Sequence, residues 1–268
     1  MINLVKMDVQ RLIRSRNFYI ILAVTAGLLM MLVCLVATVA DPETMEAMQA
    51  QGADITGDDL EMSQHIHNMS SLDFVHECLS SGFLLIITGI GISIHVSGDF
   101  SSGYIKNICF ARPRRRDYVI SKILLAGVYS AAVTAVGVVF ALVSSGLFGL
   151  HPVASPILSI LQYTFWRWLP SWAVGLMALS LAAMTRSSVL GITLAVLSGG
   201  GVIAELVSLV CQRLHWPALE QYLLSSLARM QRIPLPDARQ MTLILGCSIG
   251  WAAVYTVVSL LSMEKRDI

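Results

Sequence analysis

The sequence predicts an all-α polytopic membrane protein, and three observations carry that prediction. Of its 268 residues, 56% are hydrophobic and only 13% are charged, about half the charged share of a soluble chain. The mean hydropathy is +0.71, which leaves most helical faces no compatible surroundings but lipid. Six segments reach the roughly 20 apolar residues that a helix needs to cross about 30 Å of hydrocarbon. The net charge of +1 points to no nucleic-acid partner.

Residues 1–17 place Val5, Val9, Leu12 and Ile13 at helical spacing, with Lys6, Gln10 and Arg14 on another face. An N-terminal interfacial amphipathic helix follows, its apolar stripe among acyl chains. Lys6, Arg11, Arg14 and Arg16 stand against the single acid Asp8 and would meet anionic head groups at about 1 kcal/mol each. The same charges also serve simply as orientation signals, and composition does not separate the two readings. The first span, 18–40, is uncharged over 23 residues; a cleaved signal has an apolar core of about 7–15, so this helix is expected to be retained. The outer loop, 41–77, holds nine acids and no Lys or Arg, and its apolar residues are too sparse for a core. His65, His67 and His76 there lack ligand spacing on one helix face, so no metal is expected.

The second span, 78–96, carries only His95, and the third, 123–150, runs 28 residues without a charge. Residues 151–168, with Pro152 and Pro156 followed by Tyr163, Trp166 and Trp168, predict an outer interfacial helix in an aromatic belt. Spans at 168–184 and 187–210 are separated only by Thr185 and Arg186, which demands a tight helical hairpin; Gly199, Gly200 and Gly201 are a candidate break in the second of them. The sixth span is 241–263. The five cysteines show no C-x-x-C spacing and argue for neither a disulfide framework nor a zinc site.

Orientation follows from Lys and Arg. With the N-terminus inside, 13 of the 18 basic residues are cytoplasmic: the four near the start, Lys106, Arg112, Arg114, Arg115, Arg116 and Lys122 in the loop 97–122, then Arg186, Lys265 and Arg266. Six spans place both termini in the cytoplasm. The loop 97–122 is too long for a turn; Gly98 and Gly103 permit sharp bends, Tyr104 to Phe110 is long enough for two helical turns, and Pro113 cannot continue them. Its six basic residues are more than orientation requires and are candidates for docking an acidic or phosphorylated cytoplasmic partner, the alternative being a solvated positive-inside loop near head groups.

Several chemistries lose their central residues. None of the four lysines stands in a G-x-x-x-x-G-K-[ST] motif, and H-E-x-x-H and G-x-S-x-G are both missing. No enzyme and no cofactor are expected. Glu205 is the one acid inside a predicted span; a carboxylate there is costly unless it faces protein or water, which makes it a candidate for the translocation path. Its position near the outer end, past the glycines, also lets it simply reach water.

The order of these segments resembles the permease subunits of type 2 ABC transporters. The resemblance is concentrated in Asp8 to Leu22, similar to the family's first segment, and in Asp99 to Lys122, where Asp99, Gly103, Ile105, Lys106, Asn107, Pro113, Arg116, Tyr118, Ser121 and Lys122 follow the family's order of acid, glycine, hydrophobic, basic, proline-x-x-arginine and serine-lysine. Arg114 and Arg115 depart from it, since small or apolar residues are commoner there. The resemblance implies a single permease domain over 1–268, a half-transporter in the bacterial cytoplasmic membrane. It would pair with a second permease copy or a paralogue and with two copies of a separate ABC ATP-binding subunit. It also implies ATPase coupling through Asp99, Gly103, Tyr104, Ile105, Lys106, Asn107, Pro113 and Arg116, with a coupling helix near Gly103 to Phe110. The cargo it suggests is amphiphilic or peptide-like, as in bacitracin and lantibiotic exporters that give resistance or immunity. An ion-gradient-driven secondary transporter would need several midplane charges or inverted repeats. A non-transporting assembly protein would lack an ATPase encoded beside it.

Overall fold

The computed structural model describes residues 2–41, 69–105, 115–150, 152–216, 219–229 and 238–265, with Thr44, Ala50 and Ile66 between the first two stretches. Most of the outer loop 41–77, including His65 and His67, lies outside the described residues, as do Lys106, Asn107, Arg112, Pro113 and Arg114.

The described chain is helical throughout apart from its connections. It comprises α1 (Ile2–Arg14), α2 (Arg16–Ala40), α3 (Ser71–Ser80), α4 (Phe83–Ser101), α5 (Arg115–Leu147), α6 (Ile157–Thr185), α7 (Val189–Gly199), α8 (Val202–Leu214), a 3-10 turn (Leu219–Tyr222), α9 (Leu224–Arg229) and α10 (Ala238–Lys265). The only extended pairing among the described residues is one isolated bridge between Ser70 and Val153. Five helices are long and apolar enough to span a bilayer, and a sixth span results if α7 and α8 are taken as one bent crossing.

The largest departure from the sequence reading is the segment 187–210, which is two helices and not one. They meet at the Gly199–Gly201 run with a 62° bend, and Gly201 adopts φ +85°. That left-handed geometry is open to glycine at no steric cost, and a Cβ at Gly201 would crowd the Arg229 guanidinium. The apolar run at 78–96 is also interrupted. Ser80 closes α3, Gly82 turns the chain at φ +76°, and α4 starts at Phe83. A Cβ at Gly82 would overlap the Gly199 carbonyl oxygen, so this turn is where the two broken elements touch. Ser70 caps α3: its Oγ accepts from the Asp73 N–H at 3.1 Å and donates to Asp73 Oδ2 at 2.6 Å.

Residues 151–168 do not form a separate interfacial helix. From Ile157 the chain runs unbroken through Pro170 to Thr185. The tight hairpin after it is made by Arg186 at φ +56°, a left-handed helix-ending residue of the kind that usually needs glycine or asparagine. Thr185 Oγ1 donates to the Ser187 carbonyl at 3.1 Å and closes the turn.

The interior is organised around α6, the most buried of the long helices, which packs against α10, α4, α5, α7 and α9. Indole donors fasten it to α5: Trp168 Nε1 donates to Gly127 O and Ser130 Oγ at 3.0 and 2.9 Å, and Trp172 Nε1 to Ile123 O at 3.3 Å. In lipid such interhelical hydrogen bonds and close packing do the work that apolar burial does in water. By contrast α2 and α10 keep most of their surface outward. At 1.5 Å per residue α5 is about 50 Å long, so one end of it extends well past a 30 Å hydrocarbon layer.

Candidate functional site

The extending end of α5 meets α1 and the last turn of α4, and a cluster of charges is buried between them. On α1 the residues Leu4, Asp8 and Leu12 recur every four positions, and all three are buried. The helix thereby sets the Asp8 carboxylate between two leucines, against α5. Asp99 lies in the last turn of α4, where the helix dipole disfavours an acid. Lys122 lies in the second turn of α5, and its side chain is 1% exposed.

These groups answer one another. Lys122 Nζ is 3.0 Å from Asp8 Oδ1 and 2.6 Å from Asp99 Oδ2. Ser121 Oγ donates to Asp8 Oδ2 at 2.5 Å, and Tyr104 OH donates to Asp8 Oδ1 at 3.0 Å. Tyr118 OH donates to Asp99 Oδ2 at 3.2 Å. Arg11 pairs with Asp99 Oδ1 at 3.1 Å while its guanidinium carbon lies 3.6 Å from the centre of the Tyr104 ring. Two carboxylates therefore face one ammonium and one guanidinium, and the node is formally neutral. Burial and the Asp8 charge push the Tyr104 hydroxyl up to about 12, so it remains a donor at neutral pH. Every charge is held by a partner on a different element; the arrangement suits a mechanical joint.

The chain enters the loop 97–122 from this node. Gly103 takes φ +69° and returns Tyr104 toward α1. Ile105 is buried with Tyr118, Val119 and Met263, so the far end of α10 joins the same region. Among the residues singled out from sequence, Asp99, Gly103, Tyr104 and Ile105 are thus brought together here. Arg116 is exposed in the first turn of α5, and Lys6, Arg14 and Arg16 are exposed on and just after α1. Arg11 departs from its expected place among lipid head groups because its guanidinium is drawn to Asp99 and Tyr104. The buried face of α1 runs through residues 4, 8 and 12, so Leu12 of the expected apolar stripe packs into protein, while Ile13 of the same stripe is left uncovered by protein, 52% exposed. Glu205 is exposed on α8 and takes no part in the node. The roles of Asp8 and Lys122 were not assigned from sequence. The available signal was a lone acid among the bases Lys6, Arg11 and Arg14 on α1, and the last charge before the long apolar run of α5.

A second buried cation, Arg167 on α6, is fully enclosed. Its two terminal nitrogens donate to the carbonyls of Leu79 and Ala228, in the last turns of α3 and α9. Helix C-termini leave such carbonyls unpaired and partly negative, so one side chain closes two helix ends. The His76 ring meets Tyr163 edge-on at 6.0 Å, and burial together with the Arg167 charge holds the imidazole below its ordinary value. Nearby, the end of α2 farthest from the node and α3 flank an apolar cleft of about 570 Å³, lined by residues such as Leu35, Val39 and Phe74 and bearing one acid, Glu77.

Residues 4–199, well over half of the chain, match the family model described as ABC-2 family transporter protein. No curated protein matches the chain.

Proposed function

Because the chain belongs to the ABC-2 family of transporter proteins, the membrane components of ABC transporters, we propose that it is the permease subunit of an ATP-driven exporter and that the buried node is where the work of a separate ATP-binding subunit enters the membrane. The family and the row of apolar helices make it an integral membrane protein with transporter, not catalytic, character. The bacterial cytoplasmic membrane, both termini inside, and assembly with a second permease and two ATP-binding subunits are our assignments.

The observation that carries the reading is the node itself. It binds α1 to both helices that flank the loop 97–122, through Lys122 to Asp8 on one side and Asp99 on the other. A push on that loop, at the segment 103–116 that we assign to ATPase docking, would not be absorbed by a slack connection. It would move the start of α5 and the end of α4 together, with α1 riding along them. From there the stiff α5 and the hydrogen-bonded α5–α6 contact would carry displacement to the opposite half of the protein, where α7 and α8 are broken. Coupling of this kind needs a continuous packed chain with discrete arrangements. On the membrane surface, Lys6, Arg14 and Arg16 would meet anionic head groups and hold α1 in the interface.

We assign the cargo as an amphiphilic or peptide-like compound, of the kind that bacitracin or lantibiotic exporters remove. The mostly apolar cleft with Glu77 at its edge suits such a molecule, and Glu205 on α8 is the candidate for a polar lining of the path. The test is copurification of the full chain with its ATP-binding subunit. The double variant Gly103→Pro, Lys106→Glu should insert normally and lose the association. If that variant retains its partner at the level of the unmodified chain, the docking assignment is wrong.

A further inference from the structure

Beneath the charged node lies a layer of a different kind. His95 stands one turn before Asp99 on α4, and Tyr129 stands two turns after Lys122 on α5, so both continue the helix faces that carry the charges. The charges of the node answer one another directly. In the layer below, His95 Nε2 and the Tyr129 hydroxyl are both buried, and neither has a hydrogen-bond partner among the described residues. The phenol reaches its place because α4 offers bare backbone there: a Cβ at Gly91 would stand 1.8 Å from the Tyr129 hydroxyl. Two unpaired polar atoms inside a bundle surrounded by lipid are expensive.

Two small cavities adjoin these atoms. The larger, about 20 Å³, lies where α1 meets α2 and is lined by Ser15, Asn17, Phe18, Gly91, His95 and Tyr129, among others. The smaller, about 10 Å³, shares His95 and Tyr129 with it and extends to Lys122. A water needs roughly 10–15 Å³ on this measure and two to four polar partners. The larger cavity meets both conditions, since Ser15, whose side chain makes no cap bond to α2, adds a third polar group. Asn17 at its rim is exposed, which gives solvent a way in.

We propose that the larger cavity is a binding site for one ordered water, which accepts from the Tyr129 hydroxyl and donates to His95 Nε2. This water is the polar link between the α1–α2 corner and the pair α4 and α5; the direct contact at the same level, Phe18 edge-on to the Tyr129 ring at 5.6 Å, is apolar. A bridging water is nearly as good as a direct hydrogen bond, and it can re-aim its bonds when helices shift, which a buried ion pair cannot. The joint therefore has a rigid charged layer and, one turn below, an adaptable wet one on which α1 and the node can tip together.

The experiment is X-ray radiolysis of the full chain, copurified with its ATP-binding subunit, followed by mass spectrometry. Hydroxyl radicals formed from a bound water oxidise the side chains beside it. Tyr118 and Tyr129 are 3% and 2% exposed, so burial alone predicts equally slow modification of the two. Tyr129 should be oxidised several-fold faster than Tyr118, and His95→Phe, which fills the cavity and removes Nε2, should bring it down to the Tyr118 level. Tyr129→Phe supplies an independent sign. Deleting a hydroxyl that has a water partner should lower the melting temperature by about 2–4 °C, whereas deleting an unpaired one relieves a penalty and raises it. Equal oxidation of the two tyrosines in the unmodified chain, oxidation of Tyr129 that survives His95→Phe, or a melting temperature that Tyr129→Phe leaves unchanged or raises would each overturn the water site.

Discussion

Replacing Lys122 by methionine is the sharpest probe of the node. The ammonium stands 3.0 Å from Asp8 and 2.6 Å from Asp99. With an effective dielectric of about 20, each contact represents about 6 kcal/mol of gross attraction, set against a desolvation cost of several kcal/mol per ion. Methionine keeps the length and the apolar packing but leaves two buried carboxylates with only the half-exposed Arg11 between them. Removing one partner from a buried pair typically costs about 3–5 kcal/mol. At roughly 2–4 °C per kcal/mol for a chain of this size, the melting temperature in detergent should fall by about 10 °C. Limited proteolysis near Ser15, after the end of α1, should accelerate in parallel. Combining Lys122→Met with Asp8→Asn should recover part of the loss, because the second change removes one of the two stranded charges; a coupling of about 1–3 kcal/mol is expected. A shift below about 2 °C for Lys122→Met, or strict additivity in the pair, would refute the claim that this lysine joins the two carboxylates energetically.

Three further outcomes follow from the far side of the molecule. Arg167→Met should release the last turns of α3 and α9, and the loss of even one charge-assisted hydrogen bond, about 1.5–3 kcal/mol, should raise maleimide labelling of the buried Cys78 at least tenfold; unchanged labelling would contradict the double cap. Gly82→Ala combines a left-handed φ, worth about 1–2 kcal/mol, with overlap on the Gly199 carbonyl, and should lower the melting temperature by about 4 °C or more. The depressed His76 favours the neutral ring in the folded state, so its contribution is complete above the ordinary histidine value near 6.5 and declines as pH falls below it. Melting curves from pH 7.5 to 5.0 should therefore slope less for His76→Phe than for the unmodified chain, and equal slopes would dismiss the effect.

The membrane-protein class and the location of the apolar helices were legible because lipid imposes a length and a composition on any crossing segment. Asp99, Gly103, Tyr104 and Ile105 were singled out through the family resemblance, for ATPase coupling and not as parts of a buried node. Asp8 and Lys122 were not paired in advance, since they lie 114 residues apart and nothing local distinguishes a charge held by protein from one that orients a loop. The bend at Gly199–Gly201 was visible as a weak point, but its angle depends on Arg229 and on the Gly82 turn, neither of which lies in that segment. Arg167 reads from sequence as an ordinary charge at a water boundary. Its burial follows from the continuity of α6 through Pro170, where tertiary packing overrides a residue that usually ends helices.

The double attachment of Arg167 also bears on biogenesis. One of its acceptors, on Leu79, is translated 88 residues before it, and the other, on Ala228, 61 residues after. A ribosome delivering the chain to the membrane must therefore insert the guanidinium while half of its coordination does not yet exist. Nascent chains arrested before residue 228 should need shelter from an insertase or chaperone and be prone to degradation, and release of the finished chain should coincide with the seating of α9.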